Sequence, residues 1–537
     1  MLYHTNGVFK GNGPTWTERV INWNNDVSQP NLNTMHTRTL VASFVMTMAA
    51  ANESFGAAPV STFCNPLPVP DYPIGRPARD VTNGEPVSGD MLWLSDRKEQ
   101  FRELADPTAL WLDGKWYLYP SADMAWVSED QGGTWQHHPL NIRDVGYAPT
   151  VVKHRGKFLL MASWSQLYSA DSPLGPFNPL GPIRVGKVAG MPDFMDPMLF
   201  ADEDQRLYFY WGCTKDGGIW GVELDAANPT NAVTRPKELI RFDPVHQPWE
   251  ALGDWNQTFN VGWMEGSWML KHRGKYFLTY SAAGTQNRTY AMGCYTASMP
   301  LGPFAPQKRN PFFRTTDGLV TGTAHGCIVP GPENRLWTFY TIRAGVAHGF
   351  ERRIGMDRVE VDSQGELYVP AATSLPQWLP GKIPAGQNSA ATGWLPINGG
   401  EPTICSSCAP NLRGRLAVDN DLRTWWQPAA DDARPAITSL FEAPARIHAV
   451  RVIWRDVGLN ARLGVNPGAF RYRVDLETAK DQWTTILDRS QSDEDFLIDY
   501  REVESTVGSR ARLVILGWPK GITPAVAEFT VFGKHFD

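Results

Sequence analysis

Val261-Gly-Trp-Met-Glu265-Gly-Ser-Trp-Met-Leu-Lys-His-Arg-Gly-Lys-Tyr-Phe-Leu-Thr-Tyr280 reads as two short strands, residues 267–271 and 276–280, joined by a His-Arg-Gly-Lys turn. Glu265 stands at the mouth of the first strand. An ionised carboxylate is costly to bury unpaired, so this position calls for a partner or a task.

The pattern recurs along the chain. Asp106-Pro-Thr-Ala-Leu-Trp-Leu-Asp-Gly-Lys-Trp-Tyr-Leu-Tyr119 and Asp196-Pro-Met-Leu-Phe-Ala-Asp-Glu-Asp-Gln-Arg-Leu-Tyr-Phe-Tyr210 have an acid, an apolar strand, a tight turn and an aromatic strand. Residues 147–161 and 322–340 repeat it without the acid. The five copies start at 106, 147, 196, 265 and 322, at intervals of 41, 49, 69 and 57 residues. That is the scale of a four-stranded propeller blade with variable loops. A second echo, Tyr168-Ser-Ala-Asp-Ser-Pro-Leu-Gly-Pro-Phe177 against Tyr295-Thr-Ala-Ser-Met-Pro-Leu-Gly-Pro-Phe304, recurs inside the same units.

The innermost strand of each blade lines a common axis, so Asp106, Asp196 and Glu265 are expected to face one another. Three carboxyls in one funnel push their pKa values apart, which lets one stay ionised while another keeps its proton. The competing reading is that Asp-Pro and Glu-Gly are turn formers that open strands.

The ordered set Asp106-Pro, Asp196-Pro, Glu265-Gly and His325-Gly resembles glycoside hydrolase family 43, five-bladed inverting hydrolases of arabinose- and xylose-containing plant polysaccharides. The resemblance covers roughly residues 93 to 370; Ser267 stands where the family commonly has proline. It implies Asp106 as general base, Glu265 as general acid, and Asp196 as the residue that tunes the acid and fixes the sugar. His325 resembles the family's channel histidine, beside a cation or water. Inverting hydrolysis needs a proton donor and an ionised base about 6.5–9.5 Å apart. No cofactor is implied for catalysis.

Trp263 and Trp268 flank Glu265 and are expected to desolvate it and to contact sugar. Arg343 or Arg353 is expected to hydrogen-bond the sugar, and the sequence does not separate the two. Residues 191–195 and 242–262 are the expected pocket walls, and the partner is a carbohydrate polymer or oligosaccharide. The implied reaction is removal of a terminal pentose, α-L-arabinofuranose or β-D-xylose. Two alternatives stay open: a glycosidase acting on another furanose such as galactofuranose, and a glycan-binding protein that hydrolyses nothing. Matched acids argue against the last, since binding alone needs no acid and base.

At 537 residues, with 42% hydrophobic and 20% charged side chains, the chain suits two or three globular domains. A net charge of −6 gives no support for a nucleic-acid partner. Residues 1–34 read as a mis-called extension. Residues 35–58 read as a secretory signal starting at Met35, its apolar run short of the about 20 residues that span a bilayer. A secreted or periplasmic protein with no transmembrane segment follows as the expectation. Residues 59–92 form an extended, proline-rich lead-in in which Asn65-Pro66 is a candidate to reach the channel, 93–370 the propeller and 371–404 a linker.

Residues 405–537 carry short alternating strands, the signature of an antiparallel sandwich. Leu416-Ala-Val-Asp-Asn-Asp-Leu-Arg-Thr-Trp-Trp426 and Ala527-Glu-Phe-Thr-Val-Phe-Gly533 resemble the discoidin, or coagulation factor 5/8 type C, module. That resemblance implies a carbohydrate-binding jelly-roll with a structural calcium near Asp419, Asp421, Thr424 and Glu528. The fold class expected for the whole is all-β, a five-bladed propeller followed by a sandwich.

Overall fold

The computed structural model describes residues 60–72, 100–121, 124–142, 146–387 and 389–536. The expected extension and signal segment lie outside these residues.

Five antiparallel four-stranded meanders follow one another along the chain. Blade 1 is Thr108–Leu112, Lys115–Tyr119, Met124–Ser128 and Gln136–Pro139. Blade 2 is Thr150–His154, Lys157–Met161, Leu167–Ala170 and Asn178–Gly181. Blade 3 is Met198–Ala201, Leu207–Trp211, Gly218–Leu224 and Lys237–Arg241. Blade 4 is Thr258–His272, Lys275–Ala282, Ala291–Ala297 and Ala305–Pro306. Blade 5 is Ala324–Pro330, Leu336–Arg343, Arg352–Val361 and Leu367–Tyr368.

Local chemistry sets these hairpins. Asp113-Gly114, Arg155-Gly156 and Arg273-Gly274 all hold positive φ at both residues, the twist that joins right-handed strands in two-residue loops. The two copies of the Pro-Leu-Gly-Pro-Phe echo join the third and fourth strands of blades 2 and 4. Large aromatics of the second strands, among them Trp116, Tyr210, Tyr280 and Phe339, are fully buried between sheets.

Among the described residues the ring closes with no strand shared between blades 5 and 1. The four main strands of each blade are consecutive in sequence, blade 4 gaining Thr214–Lys215 from the blade 3 stretch and Ala251–Leu252 on its first strand, and blade 5 meets blade 1 through Trp116 packed edge-on to Phe339 at 5.0 Å. The inner strands are tied to their neighbours: Thr108 Oγ1 donates to Pro149 O at 2.7 Å, Leu199 N to Thr150 Oγ1 at 3.0 Å and Trp268 Nε1 to Ile328 O at 2.8 Å.

One finding corrects the expected register. Unbroken pairing of the inner strands begins at Thr108, Thr150 and Met198 and, past the bulges that follow the Glu265–Ser281 and Ala324–Thr341 pairs, at Trp268 and Cys327, facing Tyr119, Met161, Tyr210, Thr279 and Phe339. Two residues earlier stand Asp106, Ala148, Asp196, Gly266 and His325, and all five have left-handed φ, between 42° and 58°. The equivalents of the two aspartates are therefore Ala148, Gly266 and His325. Glu265 sits one residue before the turn, in the place that Ala105, Tyr147, Met195 and Ala324 take elsewhere. The turn-former reading of Asp-Pro is thus right about the backbone.

The C-terminal domain is all-β as expected. Its strands form one hydrogen-bonded path, Leu395–Pro396, Thr523–His535, Ala436–Val457, Ile498–Gly517, Arg471–Ala479 and Gln482–Asp488, with Thr403–Cys405 pairing Ala436–Val457. Separate sheets are avoided because strands of 22 and 20 residues run through, bent by bulges at Leu440/Ala445 and Ile447/Ala449.

The lead-in arm fastens this domain to the propeller. Thr62–Phe63 pairs Gln377–Trp378, while Glu502 Oε1 accepts from Ser61 N and Thr62 N, both at 2.7 Å. Asn65 is buried but does not reach the axis: its amide spans Met356 and Asp357, so packing of the arm is its task. Arg102, buried in the propeller, bridges Asp456 at 2.5 Å and Asp495 at 2.8 Å. The 371–404 segment is no free tether, since Trp378 N reaches Ala390 O at 2.7 Å and Ile397 N reaches Val531 O at 2.9 Å.

Candidate active site

At one end of the ring lies a cavity of about 570 Å³, lined by Asp106, Asp196, Glu265 and His325 together with Arg352, Tyr147, Trp164, Cys213 and Trp263. The left-handed turns deliver two of these acids. Asp tolerates that conformation, whereas His325 at φ 42° is in a region where strain is usually stored at functional sites. Below the carboxylates the axis narrows to a hollow of about 20 Å³ between the five turns, room for about one water.

Asp106 is encircled by donors. Arg352 Nη1 donates to Oδ1 at 2.9 Å, Ser121 Oγ to Oδ2 at 3.0 Å, and His325 Nδ1 stands 3.2 Å from Oδ1. Burial pushes this carboxyl up, but Arg352, His325 and the hydrogen bonds outweigh it and hold Asp106 below the ordinary carboxylate range. Arg352 is in turn gripped by the buried Glu103 through Nε at 2.7 Å and lies over the rings of Tyr147 and Phe350. Burial first, and Asp106 after the relief given by Arg352, lift Glu103 to about 8.

Glu265 accepts from Trp263 Nε1 at 2.8 Å and Cys213 Sγ at 3.2 Å on one oxygen, and from the Tyr290 hydroxyl on the other. Its carboxylate, that of Asp196 and the Cys213 thiol offer oxygen and sulfur atoms within 4.8 Å of one another. Burial foremost, then the charges of Glu265 and Asp106 against the relief from His325, lift Asp196 to about 7. Asp196 therefore holds its proton to near neutrality while Asp106 is ionised.

Several side chains expected at the site lie elsewhere. Trp268 is buried with its indole on Ile328 O, because the bulge between Glu265 and Trp268 turns it into the blade. Arg353 points opposite to Arg352 on the same strand, donating to Arg102 O and Arg352 O at 3.0 and 2.8 Å. Arg343 is half-buried beside Gly322 and Gly345 and does not line the cavity. From residues 242–262 none lines it: Trp249 and Glu250 are buried against Tyr280. Met195 of the other expected wall does line it.

His325 faces carboxylates, and among the described residues the three-ligand cluster is that of Asp196, Cys213 and Glu265, without it. In the C-terminal domain Thr424 Oγ1 bonds Asp419 at 2.8 Å, and Glu528 accepts from Asn420 N. Asp421 is committed to Arg423 at 2.7 Å, so the expected calcium set fits a hard cation only through Asp419, Thr424 and Glu528. Trp426 is fully buried.

Sequence reasoning missed Arg352, Tyr290 and Cys213. Tyr290 follows a loop and Cys213 stands just past the strand Leu207–Trp211, and neither carries a repeat signal.

Residues 118–367 match the profile described as Glycosyl hydrolases family 43. The propeller belongs to glycosyl hydrolase family 43. The chain is a glycoside hydrolase. Its relatives include a β-xylosidase of Xylanibacter ruminicola, 29% identical over 38% of this chain and 78% of that protein. A β-D-galactofuranosidase of Aspergillus niger is 25% identical over 49% of this chain and 81% of its own length. A xylosidase/arabinosidase of Bacteroides ovatus is 24% identical over 38% and 77%. The family match starts inside blade 1 and ends in blade 5, leaving the C-terminal domain outside it.

Proposed function

We propose that this family 43 enzyme removes single terminal pentose units, α-L-arabinofuranose or β-D-xylose, from plant oligo- or polysaccharides with inversion. The observation that carries the reading is the gathering of unlike carboxyls in one cavity: Asp106 held ionised by Arg352 and His325, and across from it Glu265 beside Asp196, whose carboxyl is pushed up to about 7. In this mechanism Asp106 takes a proton from water as the water oxygen bonds the anomeric carbon. Glu265 gives its proton to the departing glycosidic oxygen, and the C–O bond breaks with its electrons on that oxygen. A concave cavity of about 570 Å³ at the end of the ring suits a chain end rather than the middle of a polymer. Trp164, 59% exposed at the cavity, is a ready platform for the sugar beyond the scissile bond.

A second reading, a galactofuranose-specific enzyme, is favoured by the Aspergillus relative named for that sugar. Turnover of p-nitrophenyl arabinofuranoside, xyloside and galactofuranoside separates the two. The first reading requires either pentoside to be cleaved at least tenfold faster than the galactofuranoside, and proton NMR of the fresh product to show the inverted anomer. Retention of configuration would remove the mechanism.

The pH dependence follows from the same groups. Activity falls when the base is protonated, so the acid limb of kcat/KM is expected below the usual carboxylate pKa of about 4, where Asp106 is held. It also falls when Asp196 loses its proton and sets a second charge beside Glu265, which places the alkaline limb near 7. A rate profile from pH 3 to 9 checks both limbs, and an acid limb at 5 or above contradicts the arrangement.

A further inference from the structure

The five blades share a second equivalence. Two residues beyond the second-strand partners named above come Ser121, Ser163, Gly212, Ser281 and Thr341. All four hydroxyl-bearing residues are buried. Each accepts the N–H of the left-handed residue that opens the following blade: Ala148 to Ser121 at 3.1 Å, Asp196 to Ser163 at 2.9 Å and His325 to Ser281 at 2.7 Å. The last closes the ring, Asp106 N on Thr341 Oγ1 at 2.9 Å.

The interval between blades 3 and 4 has no hydroxyl. A Cβ at Gly212 would lie 2.4 Å from Gly218 O, so no serine fits there. The N–H of Gly266 donates instead to Asp196 Oδ2 at 3.3 Å. The hydroxyls also spend their own protons on the acids: Ser121 on Asp106 at 3.0 Å, Ser163 on Asp196 at 3.4 Å. A hydroxyl has one proton and two lone pairs, so both roles are compatible.

We propose that Ser121, Ser163, Ser281 and Thr341 are positioning residues, a ring of inter-blade clasps that aims the catalytic carboxylates. In the one interval without a hydroxyl Asp196 itself serves as the clasp and fixes the backbone beside Glu265. This rests on the assignment of Asp106 as base and Glu265 as acid, and it gives Asp196 a mechanical task besides its electrostatic one.

The test is kcat, KM, pH profile and melting temperature of Ser121→Ala, Ser121→Thr and Ser281→Ala on an aryl pentoside. Ser121→Ala is expected to lower kcat about tenfold, the worth of one hydrogen bond to a charged group, with KM within about twofold. Its acid limb moves upward, because Asp106 loses a donor that favours its ionised form. Ser121→Thr restores most of kcat and the limb. Ser281, whose hydroxyl holds the His325 N–H and bonds no carboxylate itself, should on replacement by Ala lower the melting temperature and move the acid limb less than Ser121→Ala does. Normal kcat with an unmoved limb in folded Ser121→Ala, equal losses in its Ala and Thr variants, or an acid limb displaced further in Ser281→Ala than in Ser121→Ala would each overturn the proposal. Should Ser121→Ala not fold, Ser163→Ala decides: loss of its donor raises the alkaline limb set by Asp196, and an unmoved limb rejects the ring. An inactive Asp106→Asn beside a normal Ser121→Ala rejects the ring alone, whereas an active Asp106→Asn rejects the assignment beneath it.

Discussion

Asp106→Asn is expected to lower kcat about 10³- to 10⁴-fold with the fold and the melting temperature little changed. The substitution keeps shape and removes the charge that must take a proton from water. An asparagine oxygen can still receive Arg352 at the Oδ1 place, and its NH2 then meets Ser121 Oγ, which can turn from donor to acceptor. The surroundings are therefore satisfied, and the loss reports basicity rather than collapse. KM should stay within a few fold, because Trp164, Arg352 and the cavity walls remain. Azide, a small anion that needs no general base, is expected to recover part of the turnover by attacking the anomeric carbon directly. Steady-state kinetics with and without azide, alongside circular dichroism, check this. Activity within tenfold of the parent enzyme would show that another group activates the water.

The propeller was legible because its two signals are local. The acid-strand-turn-strand repeat fixes hairpins through the turn residues at Asp113, Arg155 and Arg273, and five such units at blade spacing leave few other closed arrangements. Asp106, Asp196 and Glu265 were legible as a set, and all three line the cavity. Their register was not. The bulges at Glu265/Trp268 and Ala324/Cys327 insert residues that a string of letters cannot reveal, so Glu265 was aligned with aspartates whose structural counterpart is Gly266.

The arginines failed for a related reason. Adjacent residues on a strand face opposite ways, so Arg352 and Arg353 have different fates, and nothing in Arg-Arg says which faces inward. The walls failed because aromatic loops look alike whether they line a pocket or pack a blade. Trp249 and Trp268 fill blades, while Trp164, with φ 62° and a largely exposed ring, stands at the cavity.

Glu265→Gln is expected to separate substrates by how much help their leaving group needs. On a natural xylan or arabinoxylan fragment the departing alcohol is a poor leaving group, and losing the proton donor should cost about 10⁴-fold in kcat. On a dinitrophenyl glycoside, whose phenolate departs unaided, the loss should shrink to about tenfold. Glutamine preserves the oxygen that accepts from Trp263 or from Tyr290, though not both carboxylate oxygens, so one donor of the set is left facing an NH2. That defect is the same for every substrate. Only the missing proton discriminates between leaving groups, which makes the slope of log kcat against leaving-group pKa the decisive measurement. A steepened slope identifies Glu265 as the acid. A slope parallel to that of the parent enzyme would transfer the role to Asp196, which lies within the same 4.8 Å cluster and is pushed up to about 7, with Glu265 then acting as its partner.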